Sequence, residues 1–247
     1  MKPMWMVRAG REGRRFEQFI ERGLVGLGGE SLGPLHPGLT RAEVLRLWQE
    51  RLPGKSLSFG HQLHRFLAEV KVGDRVVTYD PEHRTYAVGT IVSDYEWEPG
   101  AVEGAPHIRR VEWSHRVPRD VLSAATRNTL GSIMTLFRLS DEAAAEIEAA
   151  ASGSLQSPAS HQPEESDDRG EAHAEPLSDN DVGAEILEKA DQFIEDRIAR
   201  LSWSQMQHLV AGILRAMGYR TTVSEAGPDR GVDIFASPDG LYWPVES

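Results

Sequence analysis

The sequence predicts an α+β chain built from two folded modules and a segment between them that does not fold. Three observations carry this reading. Residues 1–139 alternate between helical spacing and runs rich in Val, Thr and Tyr. Residues 152–181 hold Ser, Pro, Glu, Asp, Gly and His with almost no large apolar side chain, the composition of a disordered linker. Helical spacing then returns at Ile186 and gives way to two short strands around a glycine turn. A small, mostly antiparallel β-barrel decorated with helices is expected for the first module. The second is expected to be the start of an α/β layer.

In order along the chain, residues 3–9 (PMWMVRA) read as a strand. Residues 11–22 read as a short helix with Phe16, Phe19 and Ile20 on one face, and residues 24–28 as a second strand. Thr40 is a good N-cap for a helix over 41–51, where Val44, Leu45, Leu47 and Trp48 form the apolar stripe before Pro53-Gly54 breaks it. A further helix over 58–69 buries Leu63, Phe66 and Leu67. The period then changes to strands at 74–79, 85–92 and 107–113, with Asp80-Pro81-Glu82-His83 turning between the first two. A short helix follows residues 117–120, and a strand at 135–139 closes the sheet. Ser140 caps the helix DEAAAEIEAAA.

After the linker, residues 186–198 are amphipathic. Ser202 caps a helix through Met217 whose buried face is expected to be Met206, Leu209, Val210, Ile213 and Leu214. Gly218 suits the positive φ of a helix C-cap. Residues 219–224 form a strand, residues 227–231 (GPDRG) a turn, and residues 232–236 (VDIFA) a strand that carries Asp233 among apolar neighbours. A carboxylate there is costly unless it is paired or holds a cation. Asp229 is explained by the turn alone and stands only as an accessory candidate.

Composition excludes several classes. Without cysteine there is neither a disulfide framework nor a thiolate metal site. No apolar stretch approaches the roughly 18–20 residues of a membrane span, and the N-terminus has no signal-peptide core, so a cytoplasmic protein with no membrane partner is expected. No G-x-S-x-G, P-loop or H-E-x-x-H motif occurs. His61 and His64 lie three apart on a predicted helix, but no third ligand accompanies them. The net charge of −11 is unevenly spread: residues 1–139 carry +4, residues 140–186 carry −12 and residues 187–247 carry −3. A basic N-terminal module remains compatible with a phosphate-binding surface.

The pattern G-Y-x-x-x-V-x-x-x-G-x-D-x-G-V-D-I over 218–234 resembles the Mrr-like branch of the PD-(D/E)xK nucleases. The resemblance covers roughly residue 201 onward. It implies a restriction-endonuclease-like domain that cleaves double-stranded DNA with Mg²⁺ held by Asp233 and Glu246, the two catalytic acids. A lysine that positions and activates water would fall one residue beyond Ser247. Gln207 stands roughly where the family often has a further acid and is an accessory candidate. A homodimer is compatible with this group.

Residues 1–139 resemble the PUA-like group, which includes EVE-type domains, through M-W-M-V-R-A-G at 4–10, V-G-D-R-V-V-T-Y at 72–79, Y-A-V-G-T-I at 86–91 and R-R-V-E-W at 109–113. Members hold a flipped or modified base in an aromatic pocket, at a cost of a few kcal/mol offset by stacking. Trp5, Tyr95 and Trp97 are the candidate pocket rim; Tyr86 and Trp113 are assigned to the core. Arg8, Arg109 and Arg110 are candidate phosphate contacts. The combined expectation has three parts: modified-base recognition, with modified cytosine as one option, by residues 1–139; a short helix and linker over 140–183; and Mg²⁺-dependent cleavage by residues 184–247. The alternatives are a catalytically inactive reader of modified nucleic acid and a protein-interaction module acting through the acidic linker.

Overall fold

The computed structural model describes residues 2–132, 134–154, 190–191, 193–224 and 233–238. The chain divides into two units, Met1–Lys189 and Ala190–Ser247. Most of the expected linker lies outside the described residues.

The first unit is organised on a seven-stranded sheet in the order β2-β6-β4-β3-β1-β7, with β5 added on β6. Its strands are β1 Met4–Val7, β2 Leu24–Leu27, β3 Arg75–Asp80, β4 Thr85–Ile91, β5 Glu96–Trp97, β6 His107–Pro118 and β7 Leu136–Arg138. The pairings are antiparallel except for β1 with β3, which is parallel. Instead of the closed barrel expected, β2 and β7 end the strand path. β6 runs five residues past the expected end, because its second half pairs with β4 from Ile91↔Val111 to Thr85↔Pro118.

Helices cover both faces of this sheet. α1 (Phe16–Glu21), α2 (Arg41–Arg51) and α3 (Leu57–Ala68) contribute Phe19, Val44, Leu63 and Phe66 to a core shared with Trp5, Val76 and Ile108. α4 (Ala124–Leu130) and α5 (Asp141–Ala151) contribute Leu130 and Ile147 to a second core with Met4, Met6, Val77, Val88 and Phe137. Alternation along β1 explains the division: Trp5 and Val7 serve one face, Met4 and Met6 the other. Caps sit where the sequence places them. Thr40 makes a full capping box with Glu43, and Ser140 accepts from Ala143 N. The helix expected over 11–22 is broken instead. Residues Arg11–Gly13 form a 3-10 turn in which Glu12 has φ 53°, and Arg15 N reaches back to Ala9 O at 2.8 Å before α1 begins.

In the second unit, residues 193–198 are helical, followed by α6 (Trp203–Ala216) and the antiparallel pair β8 (Arg220–Val223) and β9 (Ile234–Ser237). The expected apolar face of α6 is not the one that packs on this hairpin. Gln207, Ala211 and Arg215, spaced by four, contact it instead: Thr221 Oγ1 donates to Ala211 O at 3.4 Å and Arg215 Nη1 donates to Thr221 Oγ1 at 2.9 Å. Leu209, Val210 and Ile213 are consequently exposed among the described residues. No helix among those residues is long and apolar enough to cross a membrane.

The β4–β6 contact includes a register shift between Val88 and Gly89, and a Cβ on Gly89 would lie 2.6 Å from Val111 Cγ1 and 2.8 Å from Glu112 O. Only glycine fits that approach. Gly89→Ala is therefore expected to lower the stability of the first unit by about 1–3 kcal/mol, the usual cost of overpacking. It should appear as a lower urea midpoint at unchanged slope, and an unchanged midpoint would contradict the close approach.

Candidate functional site

The second unit places its chemistry at the junction of α6 and β9. A capping box between Ser202 and Gln205 starts α6, and Gly218 ends it at φ 95°, as its sequence position requires. The chain then turns back so that Val223 pairs with Ile234 and Ser224 N donates to Asp233 O at 3.0 Å. Asp233 thus stands immediately before β9, half-buried, with its carboxylate facing α6. Gln207 Nε2 donates to Asp233 Oδ1 at 3.0 Å. The contact gives the Asp233 carboxylate a neutral hydrogen-bond donor on Oδ1. Among the described residues no group of three His, Asp or Glu side chains is arranged to hold a metal. Glu246 and Asp229 lie outside the described residues.

Two of the nucleic-acid candidates of the first unit prove to be internal. Trp5 is 2% exposed; its Nε1 donates to Asp74 Oδ2 at 2.9 Å, and the Arg65 guanidinium lies 5.1 Å from its ring centroid. Arg109 is also 2% exposed. Its Nε donates to Phe66 O at 3.0 Å, Nη2 to Leu67 O at 3.1 Å and Nη1 to Ser93 O at 3.2 Å. The strand turns Arg109 under the end of α3, so neither side chain reaches a ligand from inside the core. Arg110 stays at the surface but is committed to Glu96 at 3.2 Å and to Glu98. Arg8 is half-buried, and its backbone N donates to Thr135 O at 2.8 Å. Tyr86 and Trp113 are core-facing, with Trp113 Nε1 donating to Phe19 O at 3.0 Å.

Tyr95 and Trp97 flank a histidine that sequence reasoning did not single out. The ring of His107 lies 5.8 Å from Tyr95 and 4.7 Å from Trp97, centroid to centroid. Leu35 N donates to Tyr95 Oη at 3.1 Å, Tyr95 Oη lies 2.8 Å from His107 Nδ1, and His107 Nε2 lies 3.2 Å from Gly29 O. Because Gly29 O can only accept, the neutral ring carries its proton on Nε2 and Tyr95 donates to Nδ1. This relay pins the loop after β2 to β5 and β6. Nothing local in the sequence marks His107, whose partner Gly29 stands 78 residues away.

Burial pushes His107 down to about 4 from 6.5, with the hydrogen bond to Gly29 O opposing the shift. The unfolded chain therefore binds the proton first. The contribution of the neutral ring is complete above about pH 6.5 and is lost as pH falls toward about 4, on the order of 3 kcal/mol in all. Urea midpoints measured across that window should fall with pH for the native chain and fall less for His107→Gln. Equal slopes would contradict the relay. Arg109→Met, which leaves buried carbonyls without donors, is expected to cost about 2–3 kcal/mol of stability. It should not change DNA affinity per folded molecule, measured by fluorescence anisotropy; an affinity loss without destabilisation would return Arg109 to the surface.

Comparison with known proteins gives two family matches. A model described as a restriction endonuclease matches residues 198–244, the stretch that holds α6, β8, Asp233 and β9. No curated protein and no solved structure matches the chain. The other model, described as a domain of unknown function (DUF8426), matches residues 5–140, the stretch of the seven-stranded sheet. With more than half of its length covered by that model, the chain belongs to the DUF8426 family and carries a restriction-endonuclease-like region after it.

Proposed function

We propose that the chain is a DNA endonuclease of the modification-dependent type. Residues 198–244 would hydrolyse the phosphodiester, and the first unit, as a PUA-like module, would recognise the DNA, with modified cytosine as the preferred base. The observation that carries this reading is Asp233, a half-buried carboxylate at the start of a strand, oriented by the neutral Gln207 amide and lying within the matched nuclease region. Among the described residues its side-chain partner is the neutral Gln207 amide, and carboxylate oxygen is the ligand type a hard divalent cation takes.

Mg²⁺ would be held by Asp233 together with Glu246, and when bound it supplies polarisation of a phosphoryl oxygen and acidification of water. The protein's own part is positional. Gln207 orients the Asp233 carboxylate through Oδ1, and the α6–β9 junction keeps the two side chains in register. A second reading rests on the same pair. Gln207 is neutral where the nuclease family often has an acid, which favours a reader of modified nucleic acid that no longer cuts.

Nicking of supercoiled plasmid separates the two. With Mg²⁺, cleavage by the native chain should exceed that of Asp233→Ala by about 100-fold or more, since loss of a metal ligand removes several kcal/mol of charge stabilisation. Gln207→Ala should lose roughly 10-fold while still binding DNA. Plasmid carrying modified cytosine should be cut faster than plain plasmid. Undiminished nicking by Asp233→Ala would refute the assignment, and DNA binding without nicking by the native chain would establish the reader.

A further inference from the structure

With Arg109 inside the core, Arg110 committed to Glu96 and Glu98 and Arg8 half-buried, the exposed cations available to a polyanion lie elsewhere on the first unit. They gather where three segments meet. The 3-10 turn Arg11–Gly13 packs on the β3–β4 turn so closely that a Cβ on Gly13 would lie 2.5 Å from Pro81 Cδ. From the other side, Arg116 of β6 sets its guanidinium 4.9 Å from the centre of the Phe16 ring and donates through Nη1 to Asp80 Oδ2 at 2.7 Å. His83 joins the same carboxylate, with Nδ1 3.0 Å from Asp80 Oδ2.

Asp80 is 2% exposed, so its charge is turned inward and spent on Arg116 and His83, whose side chains remain 44% and 63% exposed. The carboxylate anchors the Arg116 guanidinium and the His83 ring from beneath without covering them. Arg14 is exposed; its backbone N donates to Arg11 O at 3.2 Å, and its side chain makes no hydrogen bond or ion pair among the described residues. Arg11 is 64% exposed and has only Glu12, itself 79% exposed, at 3.6 Å. Glu12 and Glu82 are the exposed acids of these segments. Arg84 of the β3–β4 turn is drawn off by Asp120, as Arg65 is by Glu69 and Arg75 by Glu148.

The turn that presents Arg11 and Arg14 is also strained. Glu12 holds φ 53° between Gly10 at 80° and Gly13 at 68°. A non-glycine residue in this region costs of order 1 kcal/mol or more, and such strain is retained mainly where it aims a functional group. Arg15 braces the turn by donating from Nε to Glu103 O at 2.7 Å and from Nη2 to Gly104 O at 3.3 Å. The result is a cationic surface held on backbone turns at one end of the sheet.

We propose that the juncture of the Arg11–Gly13 turn, the β3–β4 turn and Arg116 binds the phosphate backbone of duplex DNA, with Arg11, Arg14, His83 and Arg116 as its contacts. This rests on the nuclease reading for the choice of DNA over other polyanions. Planar guanidinium groups pair with phosphate oxygens, and contacts of this kind position a protein without reading sequence. Each neutralised phosphate adds about 0.9 to the slope of log affinity against log salt.

The test uses the full chain, a fluorescent duplex of roughly 20 base pairs, and salt titrations of Arg11→Gln/Arg14→Gln, which leaves the Asp80 network untouched. The double variant should bind roughly 10- to 100-fold more weakly at low salt, with a slope reduced by about 2 and the same preference among sequences and modifications. An unchanged slope with native binding intact overturns this surface and leaves the nuclease assignment standing. A native chain that binds single-stranded RNA through these arginines but no duplex DNA overturns the choice of DNA. Plasmid nicking by the native chain and by Asp233→Ala, run alongside, reports on the nuclease reading independently of the binding slope.

Discussion

A guanidinium enclosed beneath the end of α3 is the constraint on which the first unit depends. Arg109 gives its donors to the carbonyls of Phe66 and Leu67, at the negative end of the helix, and to Ser93 at the start of the β5 loop. One side chain therefore locks a helix, the long strand β6 and a connecting loop. Asp94 and Asp74 support its charge against the burial that lowers its pKa. Asp74 in turn accepts from Trp5 Nε1 and Lys71 N, so the network extends to β1. A charge buried with its hydrogen bonds satisfied is tolerable; one missing a partner is not, and this makes the arrangement all-or-none.

The same network explains why Trp5, taken for a base-binding rim, and Arg109, taken for a phosphate contact, are packed inside the first unit. Period-2 patterning correctly located the strand containing Arg109 and Arg110, but alternation alone does not say which face is covered. β6 is overlaid by α3 on one side, so Arg109 is enclosed while its neighbour reaches the surface. Trp5 follows the same rule on β1. Tyr95, by contrast, lies in an acidic loop that reads as exposed, and it is drawn inward by Leu35 N and His107. A long-range hydrogen bond of that kind leaves no local trace in a sequence.

Local chemistry was legible wherever one or two residues decide the outcome. Thr40, Ser140 and Ser202 cap the helices assigned to them, and Gly218 takes the left-handed conformation that ends α6. Gln207 and Asp233, named separately from the sequence, meet across 26 residues because the hairpin folds back along the helix. The packed face of α6 was misjudged for a physical reason. The hydrophobic stripe and the line of small or polar residues Gln207, Ala211 and Arg215 lie on different sides of the helix. The hairpin chose the latter, where Ala211 permits close approach.

The parallel pairing of β1 with β3, together with the antiparallel pairing of β1 with β7 on its other side, has a consequence for biosynthesis. Met6 must wait for Val77 and then for Phe137 before its strand is flanked on both sides. At 5–20 residues per second, the interval between the emergence of β1 and that of β7 is on the order of ten seconds. During that time an apolar tetrapeptide, Met4–Val7, has unsatisfied edges on the nascent chain. Ribosome-associated chaperones would find their natural client in that first strand, and slow codons placed before β7 would prolong its vulnerability.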